Sequence, residues 1–495
     1  MKQIHHLVHG VTREGTSGRT SPVFDPATGT QTGELHLATV DEVDSAVASA
    51  SAAFQEWKTS SLALRTKLMY NARQLVLDNV DEIARRLTAE HGKVLSDAAG
   101  EVARGIENIE FACGVAELLK GSISSNASTG IDVKTVRQPL GVVAGITPFN
   151  FPAMVPLWMI PNAIACGNTF VLKPSEKDPS APMFLAELFQ EAGFPPGVLN
   201  VVNGDKVAVD RLLTHPDVKA VSFVGSTPIA KYVQETATAH GKRVQALAGA
   251  KNHMVVLPDA DINMTADAAV SAGFGSAGER CMAISVVAAV GDVADPLVEA
   301  IRVRTEKLTI GPGDQADSEM GPLITAEHRD RVASYIDQGE ADGAAVVIDG
   351  RKNEFDGDGY FLGVTLLDNV TTEMSVYCDE IFGPVLCVVR CETYQEAIDL
   401  ISDNVWGNGT AIFTRDGGAA RQFEEDADAG MVGINVPIPV PVGYHSFGGW
   451  KDSLFGDTHM YGPEGIRFFT KAKAITSRWP NPADSSVDLG FPTNQ

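Results

Sequence analysis

Cysteine is sparse: six thiols, Cys113, Cys166, Cys281, Cys378, Cys387 and Cys391, are scattered through 495 residues. That is too few for a disulfide scaffold. The N-terminal run MKQIHHLVHG lacks the apolar core of a signal peptide, so the expected compartment is a reducing cytoplasm with free thiols. Positive charge is also short, with 39 Lys and Arg against 63 Asp and Glu and a formal net charge of −24. A surface of that sign releases no counterions from a phosphate backbone, which excludes nonspecific nucleic-acid binding. It favours solubility instead. The most apolar stretch, 142–167, is interrupted by Pro148, Pro152, Pro156 and Pro161, which argues against a membrane-spanning helix. His5, His6 and His9 cluster at the terminus without zinc-like spacing, and no metal is expected.

What is present is core-forming material. The chain is 44% hydrophobic and 21% charged, with no fixed-period repeat or low-complexity linker. A chain of this size buries roughly three quarters of its unfolded surface, and its length predicts two or three domains. After short strand-like pieces up to residue 35, apolar residues recur at helical spacing from Asp41, then through 65–91 and 98–120. Between 141 and 252 the apolar runs VVAGITPF, TFVLKPS, VLNVVNG, AVSFVGS and VQALAGA alternate with helical segments such as 181–192 and 228–240. That alternation predicts a parallel sheet covered on both faces, with ligands at the carboxyl ends of its strands. A second alternation (SVVAAVGD, AAVVIDG, YFLGVTLLD, PVLCVVRC) follows from about 258 to 421, and the strand-like tail RFFTKAKAITSRW is expected to pair with 121–140.

A literal G-x-G-x-x-G at Gly273, Gly275 and Gly278 follows a helical pattern, not a strand, so it lacks the context of a dinucleotide fingerprint. Gly225-Ser226-Thr227 ends an apolar strand and opens a helix. It reads either as a phosphate cradle or as an ordinary N-cap. In KPSE, Lys173 and Glu176 read either as a grip on ribose hydroxyls or as a solvated ion pair. Cys281 stands in GFGSAGERCMAISV, where small residues leave room for a ligand and Arg280 is expected to lower the thiol pKa. The other five cysteines fit buried, inert core positions.

Five blocks in this order, ITPFNFP, FVLKPSE, SFVGST, GERC and EIFGPV, resemble the aldehyde dehydrogenase superfamily over nearly the whole chain. The resemblance implies a Rossmann-like NAD-binding domain (1–120 and 141–252), a second α/β catalytic domain (253–440) and a small β oligomerisation layer (121–140 and 465–495). It implies Cys281 as nucleophile, and Asn150 with the Cys281 N–H as oxyanion donors. It further implies Lys173 and Glu176 on the adenosine ribose, and Gly225 and Ser226 at the pyrophosphate. Glu380 would bind the nicotinamide-side ribose, with Phe149 and Phe382 flanking the cofactor. NAD is preferred to NADP, because Glu176 repels a 2′-phosphate.

One departure is informative. Many hydrolytic members carry a glutamate in E-L-G-G-K to activate water, whereas this chain reads Leu247-Ala248-Gly249-Ala250-Lys251. Without that base a thiol acceptor is favoured over water; Glu279 is the alternative base. AGAKNH, GSAGERC and RGIENIEFA resemble the CoA-acylating methylmalonate-semialdehyde dehydrogenase branch. That resemblance implies a small acidic aldehyde held by Arg104 and Arg280, CoA as co-substrate, decarboxylation, and a homodimer or homotetramer. INVPIPVP and SFGGWKDSLFGD are expected to wall the channel. On spacing alone Arg104 also reads as a surface partner of Glu101 or Glu107. The competing readings are a hydrolytic semialdehyde dehydrogenase and a catalytically silent relative.

Overall fold

The computed structural model describes residues 1–484, Val487, Leu489 and Gly490. The expected end of the β layer at residues 485, 486, 488 and 491–495 lies outside the described residues.

The runs read as buried strands form the centre of an eight-stranded sheet. Its order is Leu454–Phe455, Arg243–Leu247, Val218–Val224, Val142–Ile146, Thr169–Lys173, Leu199–Val201, His6–Val8 and Val11–Arg13. The five central strands are parallel. Both edges are closed by antiparallel strands from distant parts of the chain. Continuous apolar runs suit such a sheet because both faces are covered. Alternate residues serve the two faces. Val143, Phe170 and Leu172 pack with the helices Leu62–Asp78, Leu95–Cys113, Met154–Ala165 and Ser180–Glu191. Val142, Ala144, Ile146 and Val171 pack with Val40–Trp57, Lys206–Thr214 and Thr227–Ala239.

Local chemistry sets the helix limits. Thr39 and Glu42 form a reciprocal capping box at the start of Val40–Trp57. The helical pattern across 65–91 is two helices, because Asn79 leaves helical backbone geometry between Leu62–Asp78 and Val80–His91. The proline-rich apolar stretch divides into the strand Val142–Ile146 and the fully buried helix Met154–Ala165. Among the described residues no helix is long and apolar enough to cross a membrane.

The second sheet has seven strands, ordered Ala345–Ile348, Thr365–Asp368, Val385–Cys391, Ile284–Val290, Asn252–Val256, Gly409–Phe413 and Met431–Ile434. Only Ala345–Ile348 runs antiparallel. A third, antiparallel sheet pairs Thr470–Arg478 with Ile131–Pro139, and that strand with Ser122–Ser128. Two connections set up the site. One runs from Leu247 through Lys251 and joins the first sheet to the second. The other, residues 275–283, lies between the helix Ile262–Phe274 and the strand Ile284–Val290.

Candidate active site

Cys281 is delivered by an unusual turn. Ser276, Ala277 and Gly278 all have left-handed backbone, with φ of 54°, 52° and 73°. For the two non-glycine residues this costs on the order of 1–3 kcal/mol each. Only glycine fits at position 278, because a Cβ there would lie 2.1 Å from the Gly383 carbonyl oxygen. The second sheet then fixes the Cys281 carbonyl, which accepts from Asn252 Nδ2 (2.9 Å) and Asn408 Nδ2 (3.1 Å). Cys281 itself is half-buried.

The first sheet supplies Asn150. Its buried amide nitrogen donates to the Glu279 carbonyl (3.1 Å), two residues before Cys281. Its backbone carbonyl accepts from Lys93 Nζ (2.7 Å), and the same ammonium is paired with Glu101 Oε2 (2.6 Å). Glu101 Oε1 in turn accepts from the N–H groups of Ala153 (2.8 Å) and Met154 (3.0 Å), at the positive end of the helix Met154–Ala165. Lys93 and Glu101 were not singled out as site residues from the sequence. The available signal was a carboxylate on the apolar face of an amphipathic helix, between Ala98 and Gly105.

Two cavities share Cys281 as a wall. One, of about 210 Å³, is lined by Phe151, Met154, Trp158, Ile438, Val440 and Phe447, with Arg104 and Arg280 among its polar residues. Both segments expected to wall a channel contribute to it. The other is a narrow crevice bordered by Ala250, Gly278, Glu380 and Phe382. Glu380 Oε1 accepts from the Ala250 N–H (3.0 Å).

The candidate cofactor residues lie along neighbouring strand ends of the first sheet. Lys173 pairs in register with Ile146, Phe223 is opposite Ile146 on the other side, and Val224 is opposite Leu247. Lys173 Nζ and Glu176 Oε2 form an ion pair of 3.0 Å, with Lys173 buried and Glu176 partly exposed. Burial alone would raise the Glu176 pKa, but the Lys173 charge and hydrogen bond outweigh it and hold the carboxyl below its usual range. Gly225 needs its missing side chain, since a Cβ would lie 2.5 Å from the Phe223 ring. Ser226 is the N-cap of Thr227–Ala239, yet its side chain makes no capping bond. Thr227 Oγ1 instead accepts from Gly249 N–H (3.0 Å) and Trp406 Nε1 (2.9 Å). Phe149 lies between His91 and Phe382, with Lys177 Nζ 4.6 Å from its ring centroid. A row of strand ends with an uncommitted hydroxyl at a helix N-terminus fits an extended dinucleotide.

The electrostatics correct one expectation. Burial, reinforced by the nearby Glu380 carboxylate, pushes the Cys281 thiol up to about 12, not down. Arg280 opposes this only weakly, because its guanidinium points to Asp97 (Nη2 to Oδ1, 2.6 Å). Arg104 likewise has committed partners. Its Nη1 bonds both oxygens of Glu107 (2.9 and 3.0 Å) and its Nη2 the carbonyls of Val440 (3.1 Å) and Pro441 (2.7 Å). Of the two acids considered as its partner, Glu101 points into the core and Glu107 holds it.

Glu279 is fully buried and borders neither cavity. Its carboxyl lies 3.8 Å from His91 Nε2 and 3.6 Å from His328 Nε2, and burial raises its pKa to about 8. Burial drives both histidines the other way, His328 to about 4 and His91 well below its ordinary value. Leu247 lies in the apolar cluster that contains Trp158, Met282 and Phe447 and borders Cys281.

A cysteine sulfur between an apolar cavity and a row of parallel strand ends fits an aldehyde-oxidising site. The sequence comparison agrees. Residues 12–475 match the aldehyde dehydrogenase family, and the chain belongs to that family. The malonate-semialdehyde dehydrogenase of Pseudomonas aeruginosa is 54% identical over 100% of both chains, and that of Halalkalibacterium halodurans 49% over 97% and 99%. The crystal structure of methylmalonate-semialdehyde dehydrogenase from Oceanimonas doudoroffii superposes with a TM-score of 0.96 at 54% identity, covering 98% of this chain and 99% of the other. A Sinorhizobium meliloti relative complexed with NAD gives 0.97 at 51%, covering 98% and 99%.

Two outcomes follow. Lys93→Met strands the Glu101 carboxylate and costs about 3–5 kcal/mol, read as a lowered unfolding midpoint. Adding Glu101→Leu recovers part of it. Glu279 binds its proton more tightly folded (about 8) than its ordinary 4.5, so its contribution is complete below pH 4.5 and lost as pH rises through 8. The melting temperature of Glu279→Gln relative to wild type therefore rises between pH 5 and about 8.5.

Proposed function

We propose that the chain is an NAD-dependent, CoA-acylating dehydrogenase of malonate and methylmalonate semialdehyde. The observation that carries this reading is the surroundings of Cys281. Its apolar cavity bears two arginines, and the position of the water-activating glutamate is held by Leu247 in an apolar cluster. Glu279, the alternative base, has its carboxyl in the interior. The carboxylates that do border the cavity are engaged, Glu101 by Lys93 and two backbone N–H groups, and Asp97 by Arg280. The names carried by the full-length relatives support the same substrate class.

In this reading Lys173 and Glu176 hold the adenosine ribose, Gly225 and Ser226 the pyrophosphate, and Glu380 the nicotinamide-side ribose, with Phe149 and Phe382 alongside. NAD, when bound, supplies the hydride acceptor. The Cys281 thiol gives its proton to solvent water, and its sulfur adds to the aldehyde carbon. The new oxyanion takes the Cys281 N–H and the second N–H of the Asn150 amide, whose first already holds the Glu279 carbonyl. Oxidation leaves an acyl thioester on Cys281. The carboxylate β to that carbonyl leaves as carbon dioxide, before or after the acyl group moves, and the resulting enolate, its oxygen held by such donors, takes up a proton from water at carbon. The remaining acyl group transfers to the thiol of CoA, which ionises near pH 8.5 and needs far less assistance than water at about 15.7. The products are propionyl-CoA or acetyl-CoA, carbon dioxide and NADH.

The division into an NAD-binding part (1–120 and 141–252), a catalytic part (253–440) and an oligomerisation layer (121–140 and 465–495) belongs to the same proposal. So do the homo-oligomer, the absence of a nucleic-acid, metal or membrane partner, and a cytoplasmic location.

The test is turnover of both semialdehydes with NAD, with and without CoA, with the acyl product identified by mass. Propionyl-CoA and acetyl-CoA forming only when CoA is present is the expected result. Free acid forming equally fast without CoA would replace this reading with a hydrolytic one.

A further inference from the structure

Beyond the 210 Å³ cavity, a larger cleft of about 590 Å³ lies against the turn that carries Cys281. It is lined by Ser271, Gly275 and Ser276 together with charged residues. Asp97 and Arg280 border both spaces, so their ion pair stands in the shared wall. The cleft's charged lining is balanced, with Arg280, Arg304 and Lys307 against Asp97, Asp267 and Glu319. For a chain of net charge −24 such a balanced lining repels an anion comparatively little.

The two arginines are not equally free. Both terminal nitrogens of Arg104 are bonded, to Glu107, Val440 and Pro441. Arg280 makes a single side-chain hydrogen bond among the described residues, Nη2 to Asp97 Oδ1, and Asp97 Oδ2 is buried with no hydrogen-bond partner. A one-point contact uses a fraction of a guanidinium that can grip a carboxylate at two points. Gly275 preserves the guanidinium's place, since a Cβ there would approach Arg280 Nη1 to 2.5 Å.

We propose that Asp97 is a specificity-determining residue that occupies Arg280 as a stand-in for the substrate's carboxylate and yields it when a β-carboxylated aldehyde enters. The inference rests on the reading that Arg280 receives that carboxylate. A two-point grip from substrate displaces the one-point contact of Asp97. An aldehyde without a carboxylate has nothing to exchange, and leaves the pair closed across the wall. Asp97 and substrate therefore compete for one cation, and removing the charge of Asp97 strengthens binding of carboxylated ligands.

The experiment compares wild type with Asp97→Asn, using malonate as a dead-end inhibitor and malonate semialdehyde and propanal as alternative substrates. The variant is expected to lower the malonate inhibition constant roughly tenfold, the worth of one charge-assisted hydrogen bond. It should raise the kcat/KM ratio of malonate semialdehyde over propanal by a similar factor. Circular dichroism and the thermal unfolding midpoint report the folded fraction, and Asp97→Ser serves as a second variant of the same sign. Unchanged or weaker malonate inhibition, or equal change on both aldehydes, overturns the role of Asp97. Wild-type enzyme that ignores malonate and prefers propanal would overturn the substrate reading itself.

Discussion

A buried ammonium organises the site. Lys93 Nζ, in the turn between two helices, holds Glu101 and the carbonyl of Asn150 at once. Glu101 in turn holds the start of the helix Met154–Ala165. Through the Asn150 amide the chain of bonds reaches the Glu279 carbonyl, and so the left-handed turn before Cys281. From the other side Asn252 and Asn408 clamp the Cys281 carbonyl to the second sheet. Cys281 is thus fixed from both sheets by hydrogen bonds to carbonyls, and it lines both cavities. Buried pairs of this kind contribute little net stability but are costly to break. Their value here is positional.

The same burial sets the resting chemistry. It raises the Cys281 thiol to about 12, Glu279 to about 8 and Glu380 to about 7, and lowers the neighbouring His328 to about 4. The cause in each case is first the cost of holding a charge away from water. Burial and the Glu380 carboxylate thus favour the protonated thiol at Cys281. Leu247 extends this dry environment to the position where hydrolytic relatives keep a base. Under the proposed mechanism, an acyl-cysteine without that base would discriminate between acceptors by acidity, which favours a thiol over water.

Much of this was legible in the sequence. Uninterrupted apolar runs such as VVAGI and TFVLK can only be central strands or buried helix, and glycine and proline between them decided for strands. Cys281 stood out because its neighbours are small and polar. The strands Asn252–Val256 and Gly409–Phe413 were not read, because they are short and begin with residues that sequence pattern assigns to loops. The edge pair of Leu454–Phe455 with Arg243–Leu247 spans some two hundred positions, and local periodicity carries no information about it. Side-chain direction was the other gap. Arg280 adjoins Cys281 in sequence yet turns to Asp97, and Glu279 turns to His91 and His328. Glu101 looked like a surface partner of Arg104 until the helix's packing put it inside. Adjacency in the chain fixes neither orientation nor solvation, and both decide pKa.

The most direct measurement on this chemistry is the intact mass of the enzyme after incubation with malonate semialdehyde and NAD in the absence of CoA, with peptide mapping of any adduct. An acyl thioester on Cys281 that persists until CoA is added, and is then discharged as acetyl-CoA, is the predicted result. No adduct, an adduct on another residue, or one that hydrolyses at the rate of NADH formation would contradict it.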